Sequence, residues 1–168
     1  MKIVLIGMMG SGKSTIGKRL ASAIDANFLD MDALIEEREE KSISKIFDER
    51  GESYFRALEH LVAKELELKD NIVVATGGGV VINPATMDAL RNNATVIYLH
   101  IPVDDIVERL VDDTTRPLLQ NTSLKEKLEQ VYCDRKALYK SYADVILTVD
   151  EKTPETVVNE LIHKCKIL

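Results

Sequence analysis

Gly7-Met8-Met9-Gly10-Ser11-Gly12-Lys13-Ser14 reads G-x-x-x-x-G-K-[ST]. The short apolar run Lys2-Ile3-Val4-Leu5-Ile6 leads into it, and a helical pattern starts at Thr15, with Ile16, Leu20, Ala23 and Ile24 on one face. A strand, a glycine-rich turn and a helix N-terminus in that order form a cradle for phosphate. The glycines let the backbone come close to an anion with its N–H groups pointing inward. Lys13 is spaced to reach the β- and γ-phosphates, and the Ser14 hydroxyl to sit on Mg²⁺. Gly10, Ser11, Gly12, Lys13, Ser14 and Thr15 are therefore the expected contacts of a nucleoside triphosphate. The motif leaves open where the phosphate goes.

The bulk numbers narrow the setting. A length of 168 residues suits one domain, taken as 1–168, with one core, and 45% apolar with 30% charged residues is ordinary globular composition. A net charge of −6 without a run of Lys or Arg argues against a nucleic-acid surface. Cys133 and Cys165 lack metal-ligand spacing and read as reduced thiols of a cytoplasmic protein. The apolar start is too short for a signal peptide or a membrane span. Small-molecule substrates, no membrane partner and a monomeric state are the expectation.

Further elements follow from periodicity and caps. Residues 27–30 form a short strand ending in acid, and residues 33–41 an acidic helix anchored by Leu34 and Ile35. Ser42 caps a short helix with Ile43, Ile46 and Phe47 inward, and Gly51 breaks it. A longer helix follows, with Phe55, Leu58, Leu61, Val62 and Leu66 inward. Residues 72–75 are uninterrupted and mostly β-branched, as in a buried parallel strand, and run into Thr76-Gly77-Gly78-Gly79. Asn83 caps a helix with Pro84 at its first position, residues 95–99 are another buried strand, and Pro102 opens a helix. Residues 111–121 are polar and without periodicity, the mark of a mobile lid, here bounded at about 110–122. Ser123 to Glu126 is a capping box for a long helix with Leu128, Val131, Tyr132, Leu138 and Tyr139 inward. Residues 144–149 are the last strand, and Thr153-Pro154 opens the last helix. Strands alternating with helices predict an α/β, three-layer P-loop fold: a five-stranded parallel sheet flanked by helices, with a lid. Ligands of such sheets sit beyond the carboxyl ends of the strands.

Those ends carry the chemistry. Asp30 and Asp32 close the second strand, where a carboxylate can hold water on Mg²⁺ or take a proton from a hydroxyl. Gly77-Gly78-Gly79 is a costly run of flexible backbone, which close approach of a ligand would explain. Arg56, Arg109, Arg116 and Arg135 stand out in an acidic chain, because Arg recognises carboxylate and phosphate through two parallel hydrogen bonds. From the lid, Arg116 is placed to close over the phosphates. His60 and His163 read as helix-surface residues and His100 as structural. Neither Asn-Lys-x-Asp nor Asp-x-x-Gly after the third strand is present, which excludes a switch GTPase. A small phosphate-loop chain with a lid and an acid-ended second strand is similar to the small-molecule kinases.

Taken together, six pieces in order give a closer resemblance: the phosphate loop, Phe28-Leu29-Asp30-Met31-Asp32, Gly51-Glu52-Ser53-Tyr54-Phe55-Arg56, Ala75-Thr76-Gly77-Gly78-Gly79, Arg116-Pro117-Leu118-Leu119, and Arg135 in the helix ending Leu138-Tyr139. The chain resembles the shikimate kinase family, in the nucleoside-monophosphate-kinase-like group. The resemblance implies transfer of the γ-phosphoryl of ATP to the 3-hydroxyl of shikimate, with Mg²⁺. It implies that Asp32 binds the acceptor hydroxyls and serves as base, and that Arg56 and Arg135 hold the acceptor carboxylate. Gly78 would contribute a backbone contact. Ser14 and Asp30 would serve Mg²⁺, Arg109 would lie against adenine, and Lys13 and Arg116 would act on the transferred group. The acceptor-binding region would be about 31–60. The chain departs from the family's usual lid, where Asp112 and Asp113 stand near a glycine's customary place, and after Tyr139, where Lys140-Ser141-Tyr142 lacks the usual acid. The rival expectations are another small-molecule kinase such as a gluconate kinase, and a catalytically silent nucleotide-binding regulator.

Overall fold

The computed structural model describes residues 1–111 and 124–165. The first strand, β1 (Lys2–Ile6), is buried along its whole length and lies at the centre of a five-stranded parallel sheet. Its neighbours are β3 (Ile72–Ala75) on one side and β4 (Ala94–His100) on the other. The edges are β2 (Asn27–Asp30) and β5 (Val145–Thr148), so the order is β2-β3-β1-β4-β5. Lys2 stands opposite Ile72 and Ala94, and Leu5 opposite Ala75 and Ile97, so the strands end together at one edge of the sheet. The uninterrupted β-branched and aliphatic strands follow from having both faces covered.

Around the sheet lie α1 (Lys13–Ala23), α2 (Met31–Glu39), α3 (Ile43–Leu66), α4 (Pro84–Arg91), α5 (Val103–Val111), α6 (Leu124–Tyr142) and α7 (Pro154–Cys165), with a 3₁₀ turn at Val80–Ile82. The order and number of elements match the periodicity. The caps match as well. Asn83 Oδ1 accepts from the Ala85 and Thr86 N–H groups, Ser42 Oγ from Lys45, and Thr153 Oγ1 from Thr156.

Two local expectations are corrected. Helix α2 begins at Met31, directly after the strand, because Asp30 itself is its N-cap: Oδ1 accepts from Asp32 N–H at 3.0 Å and Ala33 N–H at 3.2 Å. Only Asp30 therefore closes the second strand; Asp32, expected there too, is in the first helical turn. The second correction concerns α3, where Leu61 is 58% exposed. The buried stripe is Phe55, Glu59, Val62, Ala63 and Leu66, so a carboxylate takes the place expected of an apolar side chain. The break expected at Gly51 is there: residues 43–66 are two helical segments that meet at a kink at this glycine (φ 81°, ψ 170°). Gly51 breaks helical geometry in a region open essentially to glycine alone. The lid expected at 110–122 and the Ser123 cap lie outside the described residues, save for the last turn of α5.

Candidate functional site

The phosphate loop joins β1 to α1. Gly12 is the N-cap of α1 in the left-handed region (φ 85°, ψ 16°), which turns the chain so that the first helical N–H groups face the loop interior. The Lys13 side chain is buried, and its ammonium donates to the carbonyls of Gly7 and Met8, each at 2.9 Å. The Ser11 hydroxyl is fully buried and has no hydrogen-bond partner among the described residues. The Ser14 hydroxyl donates to Asp30 Oδ2. So Asp30 is held at both oxygens, one capping α2 and the other on the loop serine, and the second strand end meets the phosphate loop as expected.

A second cluster lies against the glycine run after β3. A Cβ on Gly77 would come within 2.7 Å of Asp32 Oδ1 and 2.8 Å of Glu59 Oε1. Both of those oxygens are buried without a hydrogen-bond partner among the described residues. The missing side chain at Gly77 is what lets two carboxylates approach the same backbone. Burial, with the Asp30 carboxylate as the next cause, raises the Asp32 carboxyl to about 6, against the pull of Lys13 and Arg56. Glu59 is also raised by burial, opposed by Arg56.

Arg56 closes this cluster. Its Nη1 donates to Glu59 Oε2 at 2.6 Å, and its Nη2 and Nε donate to Glu52 Oε1 at 2.9 and 3.2 Å. A Cβ on Gly79 would lie 2.3 Å from Arg56 Nη2, so this glycine is what lets the guanidinium reach the pocket. Sequence reasoning named Arg56 and Asp32 but missed Glu59. The available signal was an acid at a core-facing position of α3, three residues after a candidate arginine. Such a carboxylate stays buried only with a partner.

The third side of the pocket comes from α6. Arg135 Nη1 donates to the Gly78 carbonyl at 3.2 Å, and the Tyr139 hydroxyl donates to the same oxygen. Tyr139 is fully buried, stacks on Tyr98 with ring centroids 5.0 Å apart, and has its oxygen 3.7 Å from Met8 Sδ of the phosphate loop. Sequence reasoning gave Tyr139 only a core role. His100 is structural, as expected: Nε2 is 3.2 Å from the Tyr132 hydroxyl, and the ring meets Tyr98 edge-on.

On the far side of the loop, Arg109 Nη1 donates to the Gly10 carbonyl at 3.0 Å. There Ser11, Gly12, Thr15, Ile16, Arg109, Val149, Lys152, Pro154 and Val157 line a cleft of about 260 Å³. In the sequence Val149 and Pro154 read only as strand and helix positions, and neither the apolar Val157 nor Lys152 belongs to a motif that marks it as a cleft residue. Arg116 lies outside the described residues. Of the expected site residues, the structure brings Lys13, Ser14, Asp30, Asp32, Arg56, Gly78 and Arg135 to one edge of the sheet, with Arg109 behind the loop.

Comparison with known proteins agrees with this geometry. The family model described as shikimate kinase matches residues 9–166. A shikimate kinase of Legionella pneumophila (strain Corby) is 48% identical over 160 residues, covering 95% of this chain and 91% of the relative. One of Sulfurihydrogenibium sp. (strain YO3AOP1) is 40% identical over 164 residues, covering 98% and 97%. Among solved structures, shikimate kinase from Acinetobacter baumannii in complex with shikimate superposes with a TM-score of 0.92 at 32% identity, covering 98% of this chain and 92% of that one. With motif order, sheet topology and near-complete coverage in agreement, the chain belongs to the shikimate kinase family, whose co-substrate is ATP.

Proposed function

We propose that the chain transfers the γ-phosphoryl group of ATP to the 3-hydroxyl of shikimate, with its two substrates on either side of the phosphate loop. The observation that carries this is the meeting of Asp32 and Arg56 at Gly77 and Gly79, beside the loop that bears Lys13. A hydroxylated carboxylate asks for such a pocket: an aspartate for the hydroxyls, and arginines for the carboxylate. Asp32 orients the 3-hydroxyl and takes its proton, for which a carboxyl raised to about 6 is suited near neutrality. Arg56 and Arg135 hold the carboxylate, and Gly78 offers its backbone. Residues 31–60 form the acceptor-binding region.

On the donor side, the backbone of residues 10–15 binds the phosphates. Lys13 exchanges the carbonyls of Gly7 and Met8 for phosphate oxygens. The base enters the cleft at Ile16, Arg109, Val149 and Val157. Arg116 reaches the transferred group from a lid at 110–122 and neutralises charge in the transition state. Mg²⁺ fits the donor set at Ser14 and Asp30, which are two hard oxygen ligands already in contact. Among the described residues no cluster of three or more carboxylate, His or Cys side chains could hold a metal, in keeping with an ion that takes its other ligands from phosphates and water. Bound there, it would neutralise phosphate charge. A cytoplasmic monomer is proposed; among the described residues no helix is long and apolar enough to cross a membrane.

The test is ADP release, followed by coupled assay with Mg²⁺ and one acceptor at a time. Release with shikimate is expected. Release with gluconate and none with shikimate would move the chain to another acceptor. ATP binding without release on any acceptor would favour a silent regulator.

A further inference from the structure

Tyr139 is fully buried, and its hydroxyl donates to an oxygen beside the phosphate loop. That atom, the Gly78 carbonyl oxygen, receives two donors, the Tyr139 hydroxyl and Arg135 Nη1 at 3.2 Å. Gly78 cannot shift to suit them. A Cβ at this glycine would lie 3.3 Å from Met9 N and 3.5 Å from the Gly7 carbonyl oxygen, so its backbone is packed against the phosphate loop. Tyr139 is equally fixed, by the stack on Tyr98 and by Met8. Burial holds the phenol above its ordinary range, so it remains a donor at neutral pH. Arg135 is different: it is half-buried, and its long side chain can turn.

A carbonyl buried against a loop must be satisfied by some donor. With both donors on it in this structure, the carbonyl keeps one, the Tyr139 hydroxyl, when the arginine turns away. We propose that Tyr139 is a positioning residue for the acceptor: by satisfying the Gly78 carbonyl it releases Arg135 to meet the acceptor's carboxylate. Without the hydroxyl, Arg135 is the remaining donor to that oxygen among the described residues, and each acceptor must compete with the protein for it. This role rests on the assignment of Arg135 to the acceptor proposed above.

Tyr139→Phe keeps the ring and its stack and removes only the donor. The expected result is a rise in the shikimate KM of roughly three- to ten-fold, the effect of one neutral hydrogen bond, with the ATP KM, kcat and Tm little changed. In an Arg135→Ala background the same substitution should add nothing further, because the arginine through which it acts is gone. An unchanged shikimate KM in Tyr139→Phe would overturn the role, and so would a rise that persists in full without Arg135. A parallel loss of ATP affinity and Tm would make Tyr139 a core residue only. Absence of shikimate turnover by the unaltered protein would overturn the acceptor assignment itself, and this role with it.

Discussion

The base role proposed for Asp32 sets function against stability. Its carboxyl keeps a proton up to about pH 6 in the folded chain, whereas an ordinary aspartate releases it near 3.8. A group raised in this way stabilises the fold while protonated, and that contribution is lost as pH climbs from 3.8 to about 6. At pH 7 the ionised, partly orphaned carboxylate is a burden, on the order of 1–3 kcal/mol for a shift of this size. Asp32→Asn should therefore raise thermal stability at pH 7 and leave it unchanged near pH 4, while lowering kcat by roughly 10²- to 10⁴-fold. Unfolding scans at the two pH values, with steady-state rates, check both halves. For the unaltered protein, kcat/KM should fall as pH drops through about 6, the region where Asp32 takes up its proton. A profile flat across that region would remove Asp32 as base. Arg56→Ala removes a charged partner and should raise the shikimate KM by roughly ten- to a hundred-fold, the equivalent of about 1.5–3 kcal/mol. Because Glu59 is buried against Arg56, some loss of stability should accompany it, and an unmoved KM would reduce Arg56 to a structural partner of Glu52 and Glu59.

At the level of elements, α3 shows how one glycine aims a site. The bend at Gly51 separates the turn capped by Ser42 from the stretch that carries Glu52, Arg56 and Glu59. No atom of the described residues lies within 4 Å of a Cβ placed on Gly51, so among them only its backbone conformation demands glycine. Gly51→Ala should cost about 1–3 kcal/mol of stability through that strain, and should weaken shikimate binding more than ATP binding. Equal loss of both would mean that the bend does not aim Arg56. The elements were largely legible in the sequence, because caps such as Asn83-Pro84 and β-branched runs such as residues 72–75 are local signals. What escaped was the set of contacts made across the chain. Lys2 opens an apolar strand in the sequence, yet its buried ammonium caps α3 by donating to the Leu66 and Glu67 carbonyls at 3.2 and 2.9 Å. Glu59 and Tyr139 escaped for the same reason. Each fits a helix face by spacing, and only tertiary contact reveals an oxygen aimed at Gly77 or Gly78.

For the whole molecule, binding should be visible as stability. A nucleotide at a hundred times its Kd adds about 2.7 kcal/mol to a folded state that binds it alone. For 168 residues this predicts a Tm rise on the order of 5–10 °C with a non-hydrolysable ATP analogue and Mg²⁺. Substituting Lys152 in the cleft should reduce the rise, and a Tm indifferent to the analogue would remove the cleft as the nucleotide site. The sheet order itself has a consequence for how such a protein can change. The strand β1 and its loop form a divide. The pocket built from β2, α2 and α3 lies to one side, and the cleft between α1, α5 and the start of α7 lies to the other. Under the proposed assignment of residues 31–60 to the acceptor, selection, or an engineer, could exchange that stretch for one with another preference, adjust Gly78 and Arg135 to it, and keep the energy source. The fold works as a socket with a fixed supply and an interchangeable fitting.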